Sequence, residues 1–283
     1  MTNVVAQAAG PVLVLGAAGT GKTTLLVEAV AARIRSRQAP ALVFAASRQA
    51  ASELRDRIVR AAGHTTLAPQ VMTIHAFCLA LVRRWADAED AEPKLLTAPE
   101  QEFRIRELLR GWAQAWPDEL EAALTTRAFA AQARAVVARA RQLGLDPDDV
   151  ADAGAAAAEP GWQVLGGFLA EYLDVLDAEG ALDYAELVHR ARLLLERDEV
   201  VSGVRAQFGA VYVDDWCELD PAQIALVRAL APDGMPVVAL ADPDTSIYRF
   251  RGAHPRAATE FVRLFTKGGA APRVEVLGVA WRQ

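Results

Sequence analysis

Apolar positions along this chain fall into two kinds of pattern. Strand-like apolar runs occur at Pro11–Leu15, Ala41–Ala46, Val71–Ile74, Val211–Val213, Val237–Leu240 and Val274–Leu277. A strand that is apolar on both faces needs cover on both, which is the situation of a parallel sheet with helices on either side. Between about Ala88 and Glu199 the apolar residues return instead at helical spacing, most clearly in Glu100–Trp112, Leu120–Leu143, Val164–Leu176 and Tyr184–Leu195. Breaks fall at Trp116-Pro117-Asp118, Leu145-Asp146-Pro147 and Glu159-Pro160-Gly161, and alanine-rich Ala153–Glu159 reads as a solvated loop or frayed helix end. Neither flanking piece has enough strands to build a sheet alone. The pattern therefore predicts an α/β domain over residues 1–87 and 200–283, interrupted by an all-helical insertion at 88–199.

Composition narrows this picture only a little. The 283 residues are 53% hydrophobic and 23% charged, ordinary for a globular chain. No apolar run approaches the roughly 20 residues that span a bilayer, so no membrane partner is expected. The N-terminus lacks the basic start and cleavable apolar stretch of a secretory signal. With only Cys78 and Cys217 present, no disulfide framework is implied and a cytoplasmic location is expected. The net charge of −6 argues against coating nucleic acid by bulk positive charge. It leaves room for a local basic groove, because screening limits a charge's reach to about 10 Å.

The strongest local signal is Gly16-Ala17-Ala18-Gly19-Thr20-Gly21-Lys22-Thr23, a full match to G-x-x-x-x-G-K-[ST]. An apolar strand precedes it, and a helical pattern beginning at Thr23-Thr24 follows, with Leu26, Val30 and Ile34 four residues apart. The glycines let successive N–H groups turn toward a phosphate at a helix N-terminus. Lys22 would bridge the β- and γ-phosphates, and the Thr23 hydroxyl would ligate Mg²⁺. Such a loop needs a carboxylate at the end of a nearby strand. Val211-Tyr212-Val213-Asp214-Asp215 supplies one in Asp214 for the metal, with Asp215 beside it to orient the attacking water. Taken alone, the acidic pair also reads as a cap on the next helix.

Several further segments resemble one family. VYVDDWCELDPAQ resembles the motif II region of UvrD/Rep/RecB-type superfamily 1 DNA helicases, and ADPDTSIYRFRGA their motif III region. FAASRQAASELRDRI is similar to motif Ia, VMTIHAFCLALVRR to the T-x-H-x-F segment after it, LDYAELVHRARLLL to the LDFxDL signature, and LGVAWRQ to motif IV. The order runs along nearly the whole chain, with the helical insertion least diagnostic; actinobacterial AdnA/AdnB helicase-nucleases are similar in style. The resemblance implies a RecA-like ATP-binding domain (1A) with a helical 1B-type insertion, using ATP and Mg²⁺ and gripping single-stranded DNA. It implies Thr245 as the γ-phosphate sensor, where the family has glutamine, and Arg282 as a γ-phosphate contact.

A single-strand groove needs aromatic faces for bases and short polar or cationic groups for phosphates. Tyr248, Phe250 and Arg251 supply one candidate platform, and His75 with Phe77 another. Ser47, Arg48 and Thr73 stand just beyond strand ends, where they would meet phosphates. Taken alone, Phe77 and Phe250 also read as core, His75 as a hydrogen-bonded helix-start residue, and Arg48 as a solvated charge. Trp216 is expected to pack beneath the site, and Cys78 to act as a small buried hydrophobe.

Three departures from the family pattern fall on the chemistry. Asp215 stands for the motif II glutamate, Cys217 for a glutamine, and Thr245 for the motif III glutamine. They spare Lys22, Thr23 and Asp214, so the expectation is retained nucleotide binding with weak hydrolysis. The adenine-contacting glutamine is absent upstream of Val4-Val5, and the chain stops at Gln283. A second RecA-like motor domain, in cis or in trans, is therefore expected to supply the arginine finger. The leading reading is the motor half of an ATP-dependent helicase or translocase in repair or recombination; the alternative is a non-catalytic nucleotide- and DNA-binding partner subunit. A P-loop kinase or switch GTPase would need a substrate lid or an N-K-x-D segment, and neither is found.

Overall fold

The computed structural model describes residues 5–63, 69–85, 93–231, 235–244, 252–254 and 256–281. Its strands, in chain order, are β1 (Val12–Gly16), β2 (Ala41–Phe44), β3 (Gln70–Met72), β4 (Lys94–Leu95), β5 (Ala181–Leu182), β6 (Ala210–Val213), β7 (Val237–Ala241) and β8 (Arg273–Leu277). Six of these correspond to the six apolar runs and form one sheet, ordered β3-β2-β6-β7-β1-β8, in which every pair is parallel. The chain therefore has the expected α/β architecture, with helices α1 (Lys22–Arg35), α2 (Arg48–Ala62) and α3 (Ile74–Trp85) following β1, β2 and β3.

Burial on both sheet faces explains the continuous runs. Val12, Val14, Val43, Tyr212, Val238 and Leu240 share a core with Leu26 and Val30 of α1 and Leu54 and Ile58 of α2. The alternate residues Leu13, Leu42, Phe44, Val211, Val213 and Ala239 are equally buried. Register brings the strand ends level. Phe44 pairs with Val213, Val213 with Ala239, and Leu15 with Ala241. The loop after β1 and the residues after β6 and β7 thus meet at the C-terminal edge of the sheet, where open parallel sheets place their ligands.

The chain divides into two compact units, Met1–Cys78 with Arg192–Gln283, and Leu79–Ala191. The second unit contains α4 (Ala98–Gly111), α5 (Glu121–Leu124), α6 (Arg127–Gln142), α7 (Pro147–Ala156) and α8 (Pro160–Ala178), and it is not entirely helical. β4 and β5 form a short parallel ladder, Lys94 with Ala181 and Leu95 with Leu182. The single helix expected over Leu120–Leu143 is broken, because Thr126 accepts the N–H of Phe129 at 3.1 Å and starts α6 afresh.

Of the two readings of Ala153–Glu159, solvated loop or frayed helix end, the structure shows a helix end, since α7 continues to Ala156. Its start is secured by Pro147 at the first turn and by the Asp146 N–H, which donates to Asp149 at 2.9 Å. A glycine on each helix then allows close packing: a Cβ at Gly166 would lie 2.7 Å from Ala151, and one at Gly154 2.7 Å from Trp162.

The LDYAEL segment has a structural explanation. Asp183 is buried and accepts from Gln101 at 2.8 Å, Tyr172 at 2.9 Å, and the N–H groups of Ala185 and Glu186 at 2.9 and 2.8 Å. It thereby caps α9 (Tyr184–Leu194) and ties that helix to α4 and α8; α10 (Asp198–Gln207) and α11 (Pro221–Leu230) follow in the chain. Glu186, next along, is buried against the Arg141 guanidinium at 2.9 and 3.0 Å.

Candidate nucleotide site

The phosphate loop is built by strain that only glycine relieves. Gly19 and Gly21 have φ of 77° and 89°, in the left-handed region. Gly16 has a different reason: a Cβ there would lie 2.4 Å from the Thr20 hydroxyl and 3.2 Å from Leu277. Thr20 turns inward and donates to the Ala17 carbonyl at 2.8 Å, closing the loop, while Ala17 and Ala18 stay exposed. Gly21 precedes α1, whose first residues are Lys22, Thr23 and Thr24. The Lys22 ammonium folds back to the carbonyls of Gly16 at 2.6 Å and Ala17 at 3.0 Å, with the Asp242 carboxylate 3.7 Å away.

Facing this loop are the acidic ends of β6 and β7. The N–H of Asp214 donates to the Phe44 carbonyl at 2.9 Å, which prolongs the sheet ladder and fixes the residue. Its carboxylate accepts from the Thr23 hydroxyl at 3.3 and 3.4 Å, across 191 residues of sequence. Burial, and then the neighbouring Asp215 carboxylate, push Asp214 up to about 6. Asp215 is raised as well, first by desolvation. It has φ of 56°, left-handed for a residue that is not glycine. Asp215 is exposed and lines the cleft, and the buried Trp216 follows it directly.

Trp216 is the fixed base of the site. It is fully buried, donates to the Ala257 carbonyl at 2.8 Å, and meets Phe261 of α12 (Ala257–Phe265) edge-on at 5.1 Å. Cys217 follows it into the interior, where burial raises its thiol to about 11, and Cys78 is fully buried. Both are unreactive positions.

Together these elements line a cleft of about 1010 Å³ that contains Ala18, Gly19, Thr20, Gly21, Lys22, Thr23 and Thr24 with Asp215 and Asp242. The Thr23 hydroxyl in contact with the Asp214 carboxylate, with Asp215 next to it, forms a donor set suited to a hard divalent cation. The adjacent lysine and glycine turn suit a polyphosphate.

The cleft residues that escaped the sequence reading include Glu28, Arg57, Glu218, Asp242 and Trp281. Asp242 had a signal, since it ends an apolar strand as Asp214 does. Arg57 donates to the Thr24 hydroxyl at 3.1 Å, a contact between helices that no local pattern announces. Trp281 is 80% exposed, and its backbone N–H donates to the Gly19 carbonyl at 3.0 Å.

The residues expected to meet DNA are distributed unevenly. Ser47 caps α2, accepting from the Ala50 N–H at 3.0 Å, and lines the same cleft as the phosphate loop. Arg48 is exposed beside it. Thr73 accepts from the Ala76 N–H at 3.2 Å and, with His75, lines a separate cavity of about 140 Å³ that reaches Asp214 and Asp215. Burial lowers the proton affinity of His75. Phe77 is a correction: it is buried, packs edge-on against Phe44 at 5.5 Å, and offers no open face to a base. Tyr248, Phe250, Arg251, Thr245 and Arg282 lie outside the described residues.

Known proteins similar to this chain are DNA helicases. DNA helicase II of Salmonella typhimurium and of Escherichia coli are each 28% identical over 272 residues, covering 93% of this chain and 36% of their own length. ATP-dependent DNA helicase PcrA of Staphylococcus aureus is 25% identical over 250 residues, 86% of this chain and 33% of its own. The chain thus spans about a third of the length of these relatives. Residues 1–266 match the model of the UvrD/REP helicase N-terminal domain, and the chain belongs to that family.

Proposed function

We propose that this chain is the nucleotide-binding half of an ATP-dependent DNA helicase or translocase motor, with weakened hydrolysis. The unit formed by residues 1–78 and 192–283 is the 1A domain in this reading, and residues 79–191 the 1B subdomain. The observation that carries the reading is the contact of Thr23 with Asp214 directly after the Lys22 loop. Those two side chains would hold Mg²⁺, which when bound supplies positive charge to the triphosphate oxygens. Lys22 leaves the loop carbonyls to neutralise phosphate, and the N–H groups of Gly19 to Thr23 orient it. Trp281, exposed along the cleft wall, is placed to stack on a base, and Arg282 next to it is the candidate γ-phosphate contact.

Asp215 is the residue that orients the attacking water. Its carboxylate is one methylene shorter than glutamate, and a misplacement of about 1 Å can cost on the order of a hundredfold in rate. The left-handed turn at this residue gives it little freedom to compensate. Single-stranded DNA would meet Arg48, His75, Tyr248, Phe250 and Arg251, with Ser47 and Thr73 at the helix starts. A second RecA-like domain, in cis or in trans, would supply the arginine finger, a contribution of about 10³–10⁵ in rate.

The test is a DNA-stimulated ATPase assay on the chain joined to a complete second motor domain. Tight Mg-dependent nucleotide binding with slow turnover supports the reading. Turnover above the usual enzyme median of about 10 per second contradicts the weakened site. The changes at 215, 217 and 245 also favour a second reading, a partner subunit that binds nucleotide and DNA without hydrolysis. Complete absence of hydrolysis in that assay, with binding intact, selects it.

A further inference from the structure

The cation of the phosphate loop has a counter-ion set by strand register. β1 and β7 lie side by side with Leu15 opposite Ala241. The residues that follow, Gly16 and Asp242, therefore stand at the same end of neighbouring strands. One Asp242 carboxylate oxygen accepts the Asp244 N–H at 3.2 Å, a turn that fixes the side chain. The other oxygen lies 3.7 Å from the Lys22 ammonium.

Both side chains are largely withdrawn from water, 11% exposed for Lys22 and 12% for Asp242. Salt screens a partly buried pair of this kind far less than a surface pair. Among the described residues, Asp242 is the carboxylate paired with Lys22. Its charge also reaches the neighbouring strand end: burial first, and then the charges of Glu218 and Asp242, raise the proton affinity of Asp215. The proposed hydrolysis assigns Asp242 no role with the ion or the attacking water.

We infer that Asp242 makes the phosphate loop select a nucleoside triphosphate in its metal-bound form over the free polyanion, an inference that rests on the nucleotide reading above. A phosphate drawn to Lys22 must compete with this carboxylate for the ammonium and then lie beside its negative charge. That repulsion grows with the charge of the ligand. It falls more heavily on free triphosphate than on the complex, whose charge a divalent ion has partly cancelled. Thr23 and Asp214 favour the complex by attraction to the ion, and Asp242 disfavours its competitor by repulsion. Discrimination commonly combines both routes. Asp242 is thus a specificity-determining residue that acts through Lys22 and the local field.

The experiment is isothermal titration of the full chain with ATP, once in excess Mg²⁺ and once in excess chelator. It compares the unaltered chain with Asp242→Asn, Asp242→Glu and Glu28→Gln. Asparagine keeps an oxygen for the Asp244 N–H and removes the charge, whereas glutamate keeps the charge. Glu28 lines the same cleft, so Glu28→Gln removes a carboxylate other than the one paired with Lys22. Metal-free ATP should bind Asp242→Asn at least about tenfold more tightly than the unaltered chain, with Mg-ATP shifting no more than about threefold. Asp242→Glu and Glu28→Gln should keep the original preference within about threefold. Weaker binding of both ligand forms by Asp242→Asn, an unchanged preference, or a matching change in Glu28→Gln or Asp242→Glu overturns the inference and leaves the nucleotide reading standing. Failure of the unaltered chain to bind Mg-ATP removes that reading, and this inference with it. Should Asp242→Asn fail to fold, Asp242→Ser, which also offers an uncharged oxygen, carries the same comparison.

Discussion

At the scale of single residues, the site works against the stability of its own fold. Asp214 has a proton affinity raised from 3.8 to about 6, because its carboxylate is withdrawn from water beside Asp215, with Lys22 and Thr23 compensating only in part. The folded chain therefore binds this proton more tightly than the unfolded chain. The stability tied to the residue is fully present below about pH 4 and is lost as the pH rises through 6. Asp214→Asn is accordingly expected to raise the metal-free melting free energy at neutral pH by about 1–3 kcal/mol. The gain should vanish near pH 4, and thermal denaturation at the two pH values checks both statements. The same variant should lose Mg-dependent nucleotide binding. Asp215→Glu tests the neighbouring position: restoring the methylene should raise the rate of hydrolysis by up to about a hundredfold with little change in nucleotide affinity. Single-turnover kinetics separates the two effects.

At the scale of elements, the loop between β1 and α1 depends on absent side chains. Gly16→Ala would force a Cβ into the Thr20 hydroxyl, whose bond to Ala17 holds the turn closed. Overpacking of this kind costs about 1–3 kcal/mol. The expected outcome is a lower melting temperature and weaker nucleotide binding together, whereas Ala17→Gly, at an exposed position, should change neither appreciably. The sequence disclosed this element completely, because a phosphate loop is a local pattern and its glycines serve local geometry. The inner strands were equally legible, since burial on both faces leaves an unbroken apolar run; the edge strand β8 contains Glu275 and exposes Val274 and Val276. The break at Thr126 was not, because a capping hydroxyl competes with helix continuation without altering the apolar period. Helix α7 was missed for a related reason. Its packing rests on glycines at 154 and 166 rather than on large apolar residues, so close approach replaced the usual signal. Phe77 shows the opposite limit: an aromatic residue after a strand end reads alike as a stacking platform or as core, and only its contact with Phe44 decides.

At the scale of the whole molecule, the sheet order converts distant sequence into one cleft. Placing β6 and β7 between β2 and β1 brings the 214–215 and 242 carboxylates beside a loop some two hundred residues earlier. The pairing of Asp214 with Thr23 was readable from motif chemistry. The participation of Arg57 and Trp281 was not, because it follows from strand register and helix packing. No helix among the described residues is long and apolar enough to cross a membrane.

The whole account depends on polyphosphate held by the glycine turn with a divalent ion at Thr23 and Asp214. Isothermal titration of the purified chain with ATP, with and without Mg²⁺, tests it most directly. The account predicts saturable binding that requires Mg²⁺ and falls at least about a hundredfold, roughly 2.7 kcal/mol, in Lys22→Ala. Absence of binding up to millimolar ATP, or equal binding by Lys22→Ala, would contradict it.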